Sequence, residues 1–477
     1  MPRFSKHFSL SLTQHELDFV DVSNTFDTPV YVDPYAIEIQ NDVWAATASE
    51  LIRVFFKEVL NAIRSKDIPR AINLMSHLTE PQETFLGVSS GNPAGRGVGP
   101  GQSRQLIRAI ATSKAYKTGL LADLSEMALY VEGIDRDKIS DLTTNIIREQ
   151  LVDYTQKQCE LYDIPTQQYS GPSLWDAKRK NWISKYVQLP FIKSTPVLLV
   201  PKYIVRRKLS LDSQEFYNKQ ITDYLIAENL RASSSLVHVL KSGEPKVYKS
   251  DVRKKHPKSK SFIADVVKSH PELLALYKDI ARKERSLSTF DDREDIPTLT
   301  TACARLAEQF AKVPTGAKHA DAYHRLTMGA LTALFYPDLI LPQKEWEVND
   351  GRKRIDIVFT NNASVGFFAQ RRDDPKLNAN LVIVECKNYS SDLANPEFDQ
   401  LLGRFDDNRG RFGIITCRSI DDYKAVKNRC LDAASRSRGY IIVLTDADMV
   451  AMLTAKSQLQ DKQIAEFLHR KYRELLT

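Results

Sequence analysis

The sequence predicts an α/β protein whose C-terminal part holds a sheet core, preceded by an α+β region and a mostly helical region. Residues 381–389 (LVIVECKNY) predict a buried strand, because four consecutive apolar residues lead into a short charged end. Residues 354–359 (RIDIVF) predict a second strand, and the Asn349-Asp350-Gly351 segment before it predicts a tight hairpin from a first strand at 344–348. Helical and apolar segments alternate downstream, with further strands predicted at 412–417 and 440–445.

The chain is long enough for several domains. At 477 residues, about two to four domains are expected. An acidic run at 291–295, followed by Pro297, is typical of a linker. We therefore expect three regions, which are a sensing or assembly domain at 1–210, a basic and mostly helical segment at 211–298, and a domain with the sheet core at 299–477.

The N-terminal region is expected to mix helices with short strands. Residues 28–35 predict a strand that ends in an Asp33-Pro34 turn, and the apolar run at 196–200 predicts a second, buried strand. Residues 44–63 have apolar side chains at helical spacing, as in a helix that faces the core. We recognise no catalytic constellation in this region.

Residues 88–103 (VSSGNPAGRGVGPGQS) are the most glycine-rich part of the chain. The backbone amides of such a loop can hold phosphate, but a Walker A motif requires Gly-Lys-Ser/Thr where this chain has Gly101-Gln102-Ser103. The sequence therefore predicts no NTPase. It favours a mobile loop with Ser103 capping a helix at 105–115, and it leaves open a loop that contacts a partner or nucleic acid.

Composition excludes several classes of protein. No apolar run approaches the roughly 18 residues of a membrane span, so no membrane partner is expected. The N-terminus lacks the apolar core and cleavage site of a secretory signal. Five cysteines are scattered without CxxC spacing, which predicts a reducing, cytoplasmic location and argues against zinc.

Positive charge is concentrated in one segment. Residues 201–290 hold 19 Lys and Arg against 10 Asp and Glu, and this excess of 19 − 10 = 9 is larger than the net charge of +7 of the whole chain. The run at 246–260 (KVYKSDVRKKHPKSK) suits a phosphate backbone, although a basic run is also common on a solvated helix face. The residues predicted to contact nucleic acid are Lys246, Lys249, Arg253, Lys254, Lys255, Lys258 and Lys260. The alternative cluster is Lys202, Arg206, Arg207 and Lys208.

The charged end of the strand at 381–389 contains the candidate catalytic residues. Glu385 and Lys387 are two residues apart, so their side chains project from the same face of the strand, and Asp356 belongs to the predicted strand before it. Mg²⁺ prefers oxygen ligands and is typically held by one or two carboxylates plus phosphate oxygens. Asp356 and Glu385 are therefore the predicted metal ligands. The carbonyl of Cys386 is a third if the strand edge opens there.

Lys387 is predicted to act on the attacking water or on the phosphate. It can position or deprotonate the water, or stabilise charge in the transition state. A lysine near a metal and a phosphate need not be neutral, which counts against the role of base. Cys386 is expected to be a packing residue rather than a nucleophile. The alternative for the two carboxylates is that they are edge-strand charges that discourage aggregation.

These residues carry a family resemblance. Asp356, the Glu385-Cys386-Lys387 sequence and Gln400 in the helical segment 396–405 resemble the PD-(D/E)xK nuclease superfamily. They are most similar to its Mrr-type restriction endonuclease-like branch, whose pattern is Asp, ExK and a Gln on the next helix. The resemblance covers roughly 321–452, less than a third of the chain. It implies a three-layer α/β/α core, Mg²⁺-dependent cleavage of nucleic acid and a catalytic role for Gln400.

The first helix of this core departs from the family pattern. Many relatives carry a Glu there, but the helix expected at 321–335 offers Asp321 and His324 as its polar inward residues. Glu345 and Glu347, on the first strand, are alternative acidic contributors. Whether the site holds one metal ion or two is left open.

Together these observations predict a metal-dependent deoxyribonuclease that hydrolyses phosphodiester bonds in DNA with Mg²⁺, for which Mn²⁺ is expected to substitute. Multidomain proteins that resemble this group often serve in restriction or antiphage defence, so that role is our expectation. A DNA-repair or mobile-element nuclease is one alternative, and a non-catalytic nucleic-acid-binding scaffold with a nuclease fold is another. A homo-oligomer or a defence-system partner protein is left open.

Overall fold

The computed structural model describes residues 3–87, 100–283, 296–348, 353–435 and 438–476, and it shows a mixed α/β protein with more helix than strand. A five-stranded sheet lies in the C-terminal part of the chain, and the other sheets of the described chain are two-stranded. Buried apolar side chains form one cluster that runs from Phe4 to Leu475, so all regions share a core. No helix in the described ranges is both long enough and apolar enough to cross a membrane.

The N-terminal region packs short two-stranded ribbons against helices, as expected for an α+β region. Its helices and strands are α1 (Phe4–His7), β1 (Tyr31–Val32), α2 (Pro34–Glu38), α3 (Val43–Arg64), α4 (Ile68–Ser76), α5 (Pro100–Thr112), α6 (Lys114–Lys117), α7 (Met127–Tyr130), α8 (Arg136–Ile146), α9 (Arg148–Leu161), β2 (Gln167–Tyr169), β3 (Leu174–Asp176), β4 (Asn181–Ile183), β5 (Val187–Leu189), β6 (Phe191–Ile192), β7 (Thr195–Pro196) and β8 (Val205–Arg206).

Three local predictions for this region are corrected. The strand predicted at 28–35 is only β1, because Asp33 accepts a hydrogen bond from the Tyr35 amide and begins α2 with a proline at its first turn. Residues 197–200 are buried but form no regular strand. Ser103 lies inside α5 instead of capping it, and residues 88–99 of the glycine-rich loop lie outside the described residues.

The next segment, as far as the structure describes it (211–283 and 296–298), is mostly helical and carries one small hairpin of two short antiparallel strands. Its elements are α10 (Ser213–Phe216), α11 (Thr222–Arg231), β9 (His238–Val239), β10 (Pro245–Lys246), α12 (Lys249–Lys255), α13 (Lys260–Ser269) and α14 (Pro271–Lys283). The acidic run at 291–295, predicted to be a linker, lies outside the described residues.

The C-terminal part alternates helices with the strands of the large sheet. Its elements are α15 (Leu299–Phe310), α16 (Ala320–Phe335), β11 (Leu339–Val348), β12 (Lys353–Asn361), α17 (Gly366–Asp373), β13 (Leu381–Lys387), α18 (Asn395–Leu402), β14 (Phe412–Cys417), α19 (Tyr423–Ser435), β15 (Tyr440–Thr445), α20 (Asp446–Ser457) and α21 (Asp461–Arg473).

The large sheet has the strand order β11-β12-β13-β14-β15. β11, β12 and β13 are antiparallel neighbours, whereas β14 and β15 run parallel to β13. β13 lies in the middle and is buried along most of its length, which explains its run of consecutive apolar residues. The turn predicted at 349–351, between β11 and β12, lies outside the described residues.

Helices pack against the sheet and position the residues of the candidate site. α16 packs against β11, β12 and β13, while α19 and α20 pack against β15. A Cβ atom at Gly413 of β14 would lie 3.0 Å from Phe405 Cζ and 3.1 Å from Leu401 Cδ1, so glycine allows α18 to approach the sheet closely. At the end of β13, the Asn388 side chain donates hydrogen bonds to the carbonyls of Pro314 and Gly316, each at 3.1 Å. This contact fixes the loop that leads into α16.

The N-terminal region is bound tightly to the edge of this sheet. Asp18 is fully buried and accepts hydrogen bonds from the Leu341 amide of β11 at 3.0 Å and from the Tyr154 hydroxyl at 2.8 Å. Lys202 is also buried, with its ammonium 4.3 Å from the centre of the Tyr336 ring. The two parts of the chain are therefore joined by buried polar contacts as well as by apolar packing.

Candidate active site

The candidate active site lies where β12 and β13 stop pairing. The paired register ends at Ile357 opposite Val384, and Asp356 and Glu385 are the next residues on the two strands. Beyond this point the Cys386 amide donates a hydrogen bond to Asp356 Oδ2 at 2.8 Å, so a side chain satisfies this amide where a strand carbonyl otherwise would. The two carboxylates thus sit side by side at the point where the strands separate.

Gln400 links the two charged residues of β13. Its Nε2 donates to Glu385 Oε2 at 3.0 Å, and its Oε1 accepts from Lys387 Nζ, also at 3.0 Å. Lys387 Nζ lies 3.5 Å from the same Glu385 oxygen. The structure therefore brings Asp356, Glu385, Lys387 and Gln400 into one contact set.

The start of α18 explains how Gln400 reaches this position. Glu397, in the first turn, accepts a hydrogen bond from the Ala394 amide at 2.8 Å, which satisfies a free N–H at the helix start. The other oxygen of Glu397 accepts from the Tyr389 hydroxyl at 2.7 Å. The helix is thereby tied to the end of β13, and Gln400 lies one turn after Glu397.

Glu385 is the electrostatically costly member of the site. Its side chain is fully buried, and Oε1 has no hydrogen-bond partner among the described residues. The Arg404 guanidinium forms an ion pair with Oε1, with Nε 3.8 Å away. Burial and the neighbouring Asp356 carboxylate raise the pKa of Glu385 to about 8, although Lys387 and Arg404 act in the opposite direction. A cation bound between the two carboxylates would remove much of this cost.

The donor set fits a hard divalent cation. It consists of two neighbouring carboxylates, one of which has an oxygen that accepts no hydrogen bond from the described residues. Carboxylate oxygens are the ligands that Mg²⁺ prefers. In the described ranges, no group of three or more His, Cys, Asp and Glu side chains is arranged to hold a metal ion. A Mg²⁺ site of the predicted kind needs only one or two carboxylates, with water and phosphate oxygens completing the shell.

Cys386 packs in the core beneath the site. It is 4% exposed, and burial followed by the Asp356 charge raises the pKa of its thiol above the usual range. A thiol in this state is a poor nucleophile, in keeping with the packing role expected from the sequence. Its only predicted contribution to metal binding is its carbonyl.

His324 is the residue that the first helix contributes. It lies on α16, with Nε2 3.8 Å from Asp356 Oδ2. Asp321, the other candidate on this helix, instead pairs with Arg325 and Lys344. The exposed Glu345 and Glu347 of β11 pair with Arg354, on the neighbouring strand. Of the four residues considered for this position, the structure puts only His324 in contact with the predicted ligands.

Arg404 was missed by sequence reasoning. It is 8% exposed and approaches Glu385 from the turn that follows α18. The signal that could have found it is its position four residues after Gln400, because side chains at this spacing share one helix face.

We predict that the free energy of unfolding falls as pH rises from about 5 to about 8 in EDTA. The pKa of Glu385 is raised in the folded state, so the unfolded chain releases this proton first and is favoured as pH rises. Glu385→Gln keeps an acceptor for Gln400 and removes the titration. At pH 8 the variant should be more stable than wild type by on the order of 3 kcal/mol, with little difference near pH 5. Urea unfolding at both pH values measures this, and equal pH dependence of the two proteins would contradict it.

A second candidate surface is formed by β9, β10 and α12, and we call residues 238–255 the basic hairpin surface. His238 Nε2 lies 2.9 Å from Asp251 Oδ2 of α12. Tyr248, just before α12, packs on the His238 ring with centroids 5.2 Å apart, and Lys246 lies over the Tyr248 ring. The hairpin and the helix are therefore held together as one exposed unit.

The residues predicted to contact nucleic acid differ in their access. Lys260 donates hydrogen bonds to the carbonyls of Val131 at 2.6 Å and Ile134 at 2.9 Å, and burial lowers the pKa of its ammonium group. Lys249 pairs with Asp223 at 2.7 Å. The other residues predicted to contact nucleic acid all have exposed side chains, and they are Lys246, Arg253, Lys254, Lys255 and Lys258.

Two residues of the alternative basic cluster are structural. Lys202 is 2% exposed, donates to the Gln14 carbonyl at 3.2 Å, and has its pKa lowered to about 8 by burial. Arg206 is also buried and donates to the carbonyls of Tyr203 and Val205. These two side chains are not available to a phosphate backbone, so the alternative assignment is wrong for both.

Comparison with known proteins concerns the N-terminal region alone. A family model described as a domain of unknown function (DUF8370) matches residues 9–212, which is less than half of the chain and does not reach the large sheet. Comparison with curated proteins gives no match, and comparison with solved structures gives none either.

Proposed function

We propose that this chain is a Mg²⁺-dependent nuclease that hydrolyses phosphodiester bonds in DNA. The observation that carries the proposal is the contact set of Asp356, Glu385, Lys387 and Gln400, drawn from two adjacent strands and the next helix. We further propose that the sheet and its helices form a three-layer α/β/α core like that of restriction endonucleases. Edge-strand charges alone would not explain a fully buried Glu385 at the middle of the sheet.

Each residue has a distinct part in the proposed reaction. Asp356 and Glu385 would hold the metal ion, which supplies Lewis-acid stabilisation of the phosphate and activates water. Lys387 lies 3.5 Å from Glu385 and can orient the attacking water or stabilise charge on the phosphate. Gln400 fixes the positions of both side chains through its two hydrogen bonds. His324 contacts Asp356 from the opposite element, α16, and can restrain that carboxylate or contact the metal shell.

The basic hairpin surface is the proposed contact for the phosphate backbone. Two of its neighbouring acidic groups, Asp251 and Asp223, are already paired with His238 and Lys249. The exposed Arg253, Lys254 and Lys255 on α12 thus give the surface a local positive excess. Restriction or antiphage defence is the proposed biological role, on family resemblance. DNA repair or mobile-element function is the alternative within the same chemistry.

The proposal is tested by incubating the purified chain with plasmid DNA. We expect cleavage with Mg²⁺, cleavage with Mn²⁺ in its place, and none in EDTA. Parallel incubations with linear duplex DNA, single-stranded DNA and RNA identify the nucleic acid that is cut. Binding of DNA without cleavage in either metal would favour the scaffold alternative. Cleavage that persists in EDTA would overturn the metal assignment.

We predict that Gln400→Ala lowers the cleavage rate by roughly 10- to 100-fold, because groups that orient the ligands of a metal site typically have effects of this size. The loss should be smaller than for either carboxylate, since Gln400 acts through Glu385 and Lys387. Asp399→Ala is the matched control, because Asp399 is exposed on the same helix and pairs with Arg438. Single-turnover rates measure the effect. Equal rates for Gln400→Ala and Asp399→Ala would remove Gln400 from the site.

A further inference from the structure

A groove of about 1250 Å³ separates the N-terminal helices from the edge of the large sheet. One wall is the start of α3 together with α9, and the other is residues 341–347 of β11. None of Asp356, Glu385, Lys387 and Gln400 lines it. The groove is therefore a separate feature from the candidate active site, and the nuclease proposal leaves it without a role.

Buried polar atoms in this groove lack partners within the described protein. Gln158 is only 3% exposed, yet its Oε1 accepts no hydrogen bond. The same holds for Gln150 Oε1 and for Asp42 Oδ2, while the indole N–H of Trp44 is a donor without an acceptor. Buried polar atoms are normally hydrogen-bonded, and three of these four unpartnered atoms are acceptors. The complementary ligand is rich in N–H donors.

The charge of the groove lining also favours a ligand of this kind. Six carboxylates line it against three cationic side chains. Five of these charged residues are already paired, since Arg325 pairs with Asp163 at 2.6 Å, Lys344 with Glu345 at 3.2 Å, and Glu347 with Arg354 outside the groove at 3.0 Å. The carboxylates outside these pairs are Asp42, Asp153 and Glu160, and the remaining cation is Lys157. The lining is thus net negative and favours a cation over an anion. The carboxylates are Asp42, Asp153, Glu160, Asp163, Glu345 and Glu347.

Aromatic rings complete the lining. Trp44 and Tyr154 are in contact with each other on the helical wall, with ring centroids 6.4 Å apart, and Trp346 lies on the β11 wall. The faces of such rings attract organic cations, and the attraction grows when the cation is partly removed from water. Unpaired acceptors, negative charge and aromatic faces therefore occur together in one groove.

We propose that this groove binds a small organic cation with several N–H donors, of the polyamine or guanidinium class. The ammonium or guanidinium groups meet the carboxylates and the unpaired acceptors, and the carbon chain or planar face lies against the aromatic rings. The assignment does not depend on nuclease activity, because it uses only the groove's own residues.

The test uses the full chain without nucleic acid and two probes, spermidine and agmatine. We expect either probe to raise the unfolding temperature and to change tryptophan fluorescence, whereas potassium chloride of equal ionic strength should do neither. Asp153→Asn is expected to weaken the apparent affinity by about tenfold, which is the loss of one charge-assisted contact. Trp44→Leu should weaken it as well. Glu50→Gln is the control, because this exposed carboxylate of α3 pairs with Arg53 outside the groove.

Three outcomes overturn the proposal. The first is that neither probe shifts the unfolding temperature of the wild-type chain. The second is that the shift is the same in Asp153→Asn as in Glu50→Gln. The third is that a basic peptide containing Arg and Lys binds while both small cations fail, which would assign the groove to a polypeptide instead. Weakening in Asp153→Asn and Trp44→Leu, with Glu50→Gln unchanged, supports it.

Discussion

Asp356→Ala and Glu385→Ala are each expected to lower the rate of DNA cleavage by roughly 1,000-fold or more, because a lost metal ligand removes several kcal/mol of transition-state stabilisation. The two carboxylates meet where β12 and β13 separate, where His324 pairs with Asp356 and Lys387 pairs with Glu385. The expected loss is in the chemical step as well as in metal affinity. Single-turnover cleavage and calorimetric titration with Mg²⁺ measure the two separately.

Glu347→Ala is the control for this experiment. Glu347 is an exposed carboxylate of β11 that pairs with Arg354 at 3.0 Å, so its removal changes the charge equally without touching the site. It was also an alternative metal contributor in the sequence, and full activity of this variant would exclude it. Circular dichroism and thermal unfolding establish that each variant is folded. A folded Asp356→Ala or Glu385→Ala variant that cuts DNA at the wild-type rate with Mg²⁺ would show that the site assignment is wrong.

The backbone of the site could be predicted because its signals are local. The apolar run before Glu385 predicts a central strand, and the spacing of Glu385 and Lys387 places both on one face. The pairing that brings Asp356 beside Glu385 could be expected from the order of segments in the nuclease superfamily that the motif resembles. Helical spacing could likewise have indicated Arg404. Apart from that strand pairing, these features depend on residues that are near one another in the chain.

Features that depend on long-range packing could not be predicted in the same way. The choice of His324 over Asp321 depends on Lys344 and Arg325, which pair with Asp321, whereas His324 contacts Asp356. Lys260 belongs to a basic run, but only the fold shows that carbonyls of the N-terminal region occupy its ammonium group. The unpaired acceptors of the groove likewise arise where segments distant in sequence meet. A pattern of residue types does not reveal which charges are already paired.

The residues for testing the basic hairpin surface must be exposed and not already engaged in contacts within the protein. Composition alone gave seven cations equal weight, whereas the structure leaves Arg253, Lys254 and Lys255 exposed on one helix. Lys249 and Lys260 are poor choices, because replacing them would break contacts within the protein. An affinity change in those variants would not separate DNA contact from loss of folding.

Replacing Arg253, Lys254 and Lys255 simultaneously by alanine is expected to weaken DNA binding on every sequence. The negative slope of log K against log salt should become shallower by about two to three. Each phosphate contact releases about 0.9 counterion from duplex DNA, and three exposed cations can make up to three such contacts. Binding is measured in EDTA across a range of salt concentrations, so that cleavage does not interfere. Mg²⁺ affinity should be unchanged, because these residues do not touch Asp356 or Glu385. The matched control replaces the exposed Lys178 and Arg179, in the turn between β3 and β4, and the exposed Lys462 of α21. An unaltered slope in the α12 variant, or an equal fall in the control, would show that the cations of α12 only solvate the helix.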